Sequence, residues 1–395
     1  MFRLDFRVYI LALAAFVVGT VELIIGGILD QIASDLHISV SAAGQLITIF
    51  SIAFAVSAPI LMNVTARFER KKLYLVFLFV FLISNLIVAF SSNYVTLLAA
   101  RALSASSGSL LVVLSITIAS KLVRPEYKGR AIGVIYMGIS GSLVLGVPIG
   151  MLIGNAYGWR APFLFVALLT AAAMGGIYAF LSKVPPSAVT SLRMQMTSLK
   201  NAKLVSGHLI SYLMLTGHLT MYAYFTPYLQ TTFQLSPGAT SVVYFLFGLA
   251  AVSGGGLGGW LADKWGTSRS MLVIVSCFAL AMFILPLAAQ VSFYVFMAAV
   301  MLWSALSWAL SPAQQSYLMQ TAPETSDIQL SLNSSVLHLG IASGSVVGGI
   351  VIEQSSVAHN AWVGCIFVLL ALGSAVYSLT RPALGKPAAP AAIAE

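Results

Sequence analysis

The stretch Gly254-Gly255-Gly256-Leu257-Gly258-Gly259-Trp260-Leu261-Ala262-Asp263-Lys264-Trp265-Gly266 admits two incompatible readings. Its first six residues fit the dinucleotide fingerprint G-x-G-x-x-G, which requires a preceding strand and a soluble βαβ unit. Residues 238–262 instead form a run without a single charge, long enough to cross a bilayer as a helix, which takes about 20 residues. The fingerprint is accidental. What remains is an apolar helix that stops where Asp263, Lys264 and a glycine begin.

Outward from this stretch the pattern repeats. Of 395 residues, 59% are hydrophobic and 8% charged, against about 25% charged in soluble proteins. Apolar runs fall near 7–29, 41–63, 72–91, 94–120, 130–154 and 161–181, then near 206–230, 238–262, 269–290, 292–318, 328–352 and 360–380. The expected fold is all-α: twelve transmembrane helices in two six-helix bundles, 1–181 and 206–381. A polar linker, 182–205, joins them, and the tail 382–395 (Ala, Pro, Gly and Lys) reads as disordered. The first run lacks a small-residue cleavage site and exceeds a signal h-region, so it reads as a retained span.

A net charge of +9 invites a nucleic-acid reading, but its distribution excludes one. Basic residues gather in alternate breaks: Arg67, Arg70, Lys71 and Lys72; Lys121, Arg124, Lys128 and Arg130; Lys183, Arg193, Lys200 and Lys203; Lys264 and Arg269; Arg381 and Lys386. The breaks 231–238 and 289–293 carry none, and Arg160 alone falls in a break assigned to the outside. This alternation follows the positive-inside rule and places both termini in the cytoplasm. Cys277 and Cys365 sit in apolar runs and read as packing residues. No G-x-x-x-x-G-K-[ST] loop, H-E-x-x-H pair or nucleophile–base set occurs, so neither direct use of ATP, a metal nor an enzyme is expected.

One offset of 197–198 residues relates the halves. It matches Pro125-Glu126 with Pro323-Glu324, each opening a helix, and Gly146 and Gly150 with Gly344 and Gly348. A parallel repeat of this kind points to a carrier with a midplane site between its halves. The fifth run carries Gly138, Ser142, Gly146, Gly150 and Gly154 at every fourth position, one face along which another backbone can approach closely. Pro148 within it removes a backbone donor and predicts a bend. Gly340, Gly344 and Gly348 form the matching stripe in the eleventh run.

Ionisable groups inside such runs carry the most information, since each costs at least about 2.5–3.5 kcal/mol at a helix centre. Glu22 and Arg101 each lie about seven residues from the outer ends of helices one and four, roughly 10 Å deep at 1.5 Å per residue. Both readings have them meet across the amino-terminal half, either as a structural ion pair or as a proton-carrying carboxyl with its tuning cation. Asp30, at the end of helix one, reads as interfacial. His218 and His338 fall mid-helix and read either as packing residues or as substrate or proton groups. His208 lies nearer the cytoplasmic end and reads as interfacial. Near His218 stand Tyr222, Tyr224 and Phe225; helix ten adds Trp303, Trp308, Gln314 and Gln315, and helix eleven Asn333. Aromatic faces beside amides suit a flat, neutral, hydrogen-bonding solute, while an interfacial aromatic belt with interhelical bonds is the alternative.

Several stretches resemble a known family. Gly259-x-x-x-Asp263-Lys264-x-Gly266 resembles the cytoplasmic loop signature of major facilitator transporters. Its first-half counterpart keeps only the basic end, with Met62, Ala66 and Glu69 replacing the Gly, Asp and Gly of the pattern. Gly146-Val147-Pro148-Ile149-Gly150 is similar to the fifth-helix signature of drug:proton antiporters. Val21-Glu22-Leu23-Ile24, Ala42-Ala43-Gly44-Gln45-Leu46, Gly217-His218, Ser311-Pro312-Ala313-Gln314-Gln315-Ser316-Tyr317-Leu318 and Ser326-Asp327-Ile328-Gln329 resemble bacterial purine base and nucleoside efflux pumps. The resemblance implies a monomeric carrier in the bacterial inner membrane, powered by the proton gradient without a cofactor and working by alternating access. Glu22 and Arg101 are then its coupling pair, and the glycine and loop motifs serve its rocking. Export of sugars or chloramphenicol-like drugs, and import by the same fold, remain the alternatives.

Overall fold

The computed structural model describes residues 5–124, 127–186 and 201–381, and every regular element among them is helical. Polar caps set where helices begin. Ser39, Asn93, Asn201, Ser236 and Ser292 each accept hydrogen bonds from backbone N–H groups two or three residues on, satisfying donors that a helix leaves unpaired. The amino-terminal half holds α1 (Phe6–Asp35), α2 (Val40–Val64), α3 (Arg70–Phe90) and α4 (Tyr94–Leu122). It continues with α5 (Lys128–Gly141), a π turn (Ser142–Gly146), α6 (Val147–Tyr157) and α7 (Ala161–Phe180). The carboxy-terminal half holds α8 (Ala202–Tyr222), α9 (Phe225–Phe233), α10 (Pro237–Trp265), α11 (Thr267–Val291), α12 (Phe293–Thr321), α13 (Ser326–Gln354) and α14 (Asn360–Thr380).

Among the described residues, eleven crossings are long and apolar enough to span a bilayer. The remaining one, seventh in order, is α8 followed by α9. It carries Lys203, His208 and His218, and it breaks at Ala223–Tyr224. The break has a local cause: the Pro227 ring would clash with the carbonyl four residues earlier, at Ala223. Pro148 acts similarly in the fifth crossing, where the ladder widens into the π turn just ahead of it. Pro125-Glu126, the linker from 187 to 200, including Arg193 and Lys200, and the tail from 382 with Lys386 lie outside the described residues.

The two glycine stripes do the same work in each half. A Cβ on Gly138 would stand 2.3 Å from the Ala12 carbonyl oxygen, and one on Gly146 would stand 2.1 Å from Thr20 Oγ1. Gly150 likewise meets Ile24, so the fifth crossing is seated on α1. In the second half Gly340, Gly344 and Gly348 face the carbonyls of Tyr212, Thr216 and Thr220 on α8. The sequence repeat is therefore also a packing repeat: crossing five on one, crossing eleven on seven.

Polar contacts between the halves are grouped along the molecule. Gln230 donates to Asp30 (2.8 Å), Thr226 and Tyr244 to the Gly26 carbonyl (2.9 and 3.2 Å), and Ser345 to the Gly44 carbonyl (2.9 Å). All lie in the part away from the chain termini. The α1 backbone leaves helical geometry at Ile28, next to these contacts. Asp30 is thus more than an interfacial residue: it binds the opposite half. The hydrogen bond nearest the termini, among the described residues, is Ser335 to the Ala55 carbonyl (2.9 Å). The halves are joined at the far end and past the middle.

Glu69, which departs from the loop signature, caps α3 and also binds the start of the linker. Its carboxylate accepts from Lys71 N (2.8 Å), Lys72 N (2.9 Å) and Val184 N (2.8 Å). Burial pushes this carboxyl up, but the three N–H donors outweigh it and hold it below the usual carboxylate range. Because the folded pKa is the lower one, the stabilisation is full at neutral pH and fades as pH falls through the folded value. Glu69→Gln is expected to cost about 1 kcal/mol at pH 7. In thermal melts of the solubilised protein, its deficit against wild type should shrink at acid pH.

Candidate functional site

Two polar clusters stand at the centre. In the first, Glu22 of α1 projects into the seam between the halves, where its Oε1 lies 3.2 Å from Nε2 of His338 on α13. The two side chains are 19% and 13% exposed, respectively. His338 Nδ1 donates to the Ser334 carbonyl (2.9 Å), and the ring lies flat on Phe54 of α2, centroids 3.9 Å apart at 11°. The glycine stripe directs this. Gly340 faces α8, and His338, two residues earlier at about 100° each, points toward the amino-terminal half.

Arg101 is fully buried beside this group. It donates through Nη1 to the Val21 carbonyl (2.8 Å) and through Nε to the Leu46 carbonyl (3.4 Å). Its guanidinium covers the Phe50 ring at 4.2 Å, and Nη2 is buried without a partner. The expected direct ion pair with Glu22 is therefore not made in this state. The shared depth is correct, since Arg101 binds the residue immediately before Glu22. The direction is not: adjacent helical residues point about 100° apart, and the carboxyl faces the other half.

The second cluster is aromatic. His218, Tyr222 and Trp303 are 7%, 4% and 0% exposed. Their ring centroids are 5.4 Å (His218–Tyr222), 5.1 Å (His218–Trp303) and 6.4 Å (Tyr222–Trp303) apart. Phe225, Tyr244, Phe247 and Phe278 complete the shell. His218 Nδ1, the Tyr222 hydroxyl and Trp303 Nε1 are all buried without partners. A buried polar atom left unpaired costs about 1–3 kcal/mol, and this shell holds three of them.

Other expected contacts are placed elsewhere. Tyr224 donates to the Ser345 carbonyl (2.8 Å) and fills the space above Gly44, a packing position at the seam. Gln314 donates to the Gly207 carbonyl (2.6 Å), and Gln315 to Ser311 on its own helix (3.0 Å). Asn333 stands near His208, which meets Gln329 at 2.9 Å. Trp308 packs against the core without joining the cluster, and His338 belongs to Glu22. Lying on helices ten and eleven did not carry Trp308 or the amides there, because successive residues on α12 and α13 face different neighbours. Trp303, named with Trp308 on α12, is the one that joins.

In the loop signature, Gly266 takes a φ of +81°, which glycine adopts without strain, and turns the chain from α10 into α11. Lys264 extends over the Trp260 ring at 4.8 Å, one turn before it, and Asp263 lies at the same helix end. Gly259 lies 4.0 Å from Pro312 at its would-be Cβ; the tight approaches belong to Gly254 and Gly258, against the carbonyls of Ala305 and Ala309.

A seam between two repeated bundles, with ionisable groups in it, is the anatomy of a carrier. The sequence profile of the Major Facilitator Superfamily matches residues 11–327. The chain belongs to the Major Facilitator Superfamily. It is 36% identical over 366 residues to the uncharacterized MFS-type transporter YbcL of Bacillus subtilis, covering 93% of this chain and 94% of that one. It is 29% identical to a probable sugar efflux transporter of Mannheimia succiniciproducens, covering 91% and 90%. Among solved structures it is similar to a D-xylose-proton symporter, with a TM-score of 0.78, 16% identity and coverage of 96% and 99%. A bacterial homologue of the lysosomal transporter Spinster gives 0.75 at 14% identity, covering 94% and 96%. At these identities the solved structures speak for the fold alone. This superfamily member is a multi-pass membrane transporter, not an enzyme.

Proposed function

We propose that this superfamily member exports a small planar solute in exchange for protons, with purine bases or nucleosides as the first substrate class. The termini lie in the cytoplasm of a bacterial cell and the chain works as a monomer in the inner membrane. The contacts at the far end then close the outward side, and the carrier faces inward. The observation that carries the proposal is Glu22, a carboxyl at the seam between halves that rock against each other. Only a group there can be offered to both sides in turn. Arg101 supplies fixed positive charge close by.

The His218–Tyr222–Trp303 shell supports the substrate class. Its faces suit stacking, and its unpaired donors and imidazole nitrogen suit the ring nitrogens and carbonyls of a purine. Sugar export is the second reading, favoured by the relative named a probable sugar efflux transporter. Counterflow into proteoliposomes, with labelled hypoxanthine, adenosine, arabinose and chloramphenicol compared side by side, tests the choice. The purines are expected to exchange fastest. Exchange of arabinose without purine exchange transfers the assignment to sugars.

A further inference from the structure

We infer that the proton is held jointly by Glu22 and His338, one residue from each half, so that His338 is a coupling residue and not a substrate contact. The inference deepens the proton-exchange reading and rests on it.

The hydrogen bonds of the ring fix the proton count. A backbone carbonyl only accepts, so the 2.9 Å contact from Nδ1 to Ser334 places a hydrogen on Nδ1. Nε2 then faces Glu22 Oε1 at 3.2 Å with no other partner. If both groups were without a further proton, a lone pair would face a carboxylate and repel it. The contact needs one proton, either on Nε2 as imidazolium against carboxylate or on Glu22 as acid against neutral imidazole. In both forms the pair binds one proton and carries no net charge. Losing it to water turns an attraction across the seam into a repulsion.

Among the described residues, no nearby group substitutes for either partner. Among the elements packed around His338, α2, α12 and α14 carry no carboxylate, histidine or basic residue. From α8 come Lys203, near the terminal end, His208, which meets Gln329, and His218, inside the aromatic shell. Arg101 on α4, bound next to Glu22 through Val21, keeps its Nη2 buried and without a partner. A deprotonated Glu22 that leaves His338 has a cation within its own half to turn to. The proton therefore favours the state in which the far ends are joined, and its release frees the halves to separate there.

A cysteine pair reads this without any substrate. Asp30→Cys and Gln230→Cys replace two residues in contact across the far end, in the full chain with Cys277→Ser and Cys365→Ser, reconstituted in liposomes. With a nitroxide label on each cysteine, attached before the pH is changed, the fraction of spin-coupled pairs at short range is expected to rise about threefold or more from about pH 8.5 to about pH 5.5, the range histidine spans. Adding Glu22→Gln or His338→Gln supplies an amide that satisfies its partner without a titrating proton. Each is expected to stay near the acid-side level, varying by less than about 1.5-fold over that range. His338→Asn, too short to bridge, should instead stay near the alkaline level, which separates loss of the contact from loss of the proton. An unaltered wild-type profile in both His338 variants overturns the role of His338 alone. A flat profile in the parent pair, with no pH response to explain, removes the proton-coupled reading beneath it.

Discussion

Glu22→Gln is expected to lower uphill export by about 100-fold or more, the upper range of coupling between two sites, while downhill exchange continues without pH dependence. Glutamine preserves the size of the side chain and keeps a polar group 3.2 Å from His338, so the fold has no reason to suffer. What it cannot do is bind and release a proton. Transport that no longer exchanges charge with the gradient runs only downhill. Paired measurements of gradient-driven export and of counterflow in the same proteoliposomes distinguish this from a folding defect, which would lower both. Wild-type driven export with wild-type pH dependence would remove Glu22 from the mechanism.

Arg101→Ala has the second large effect, on stability and transport together. The guanidinium is fully buried, holds the Val21 and Leu46 carbonyls and covers Phe50. Truncation leaves two carbonyls short of a donor and a void against the ring, together worth about 2–5 kcal/mol. It also removes the positive charge next to Glu22, so driven export falls even in protein that remains folded. Arg101→Lys retains charge but not the planar fork that reaches two carbonyls. It should recover most of the thermal stability lost in Arg101→Ala and only part of the transport. A melting temperature for Arg101→Ala equal to wild type would contradict the bonding described.

Much of the fold was legible because a bilayer imposes lengths and charge positions on the chain. The apolar runs, the basic breaks and the offset of the glycine stripes all follow from that constraint, and the stripes pack as their spacing requires. The seventh crossing is the instructive case: its length was readable, but the break at Ala223–Tyr224 is a local consequence of Pro227 that a count of apolar residues does not register. For the site, depth was legible and azimuth was not. Residue counts from helix ends placed Glu22 and Arg101 at one level, whereas the partner of Glu22 depends on which face α13 turns to the amino-terminal half, and that is set by Gly340 and Gly344 against α8. The same limit explains Gln314 and Asn333, which lie on the right helices and face the wrong neighbours.

The most direct test of proton-driven export follows protons and solute together. Proteoliposomes holding a pH-sensitive dye and whichever solute of the panel exchanges fastest are diluted into solute-free buffer, with the membrane potential clamped. Outflow of solute through the wild-type protein is predicted to acidify the interior, and outflow through Glu22→Gln to leave it unchanged. An interior that stays constant or turns alkaline as the wild-type protein releases its solute would contradict exchange.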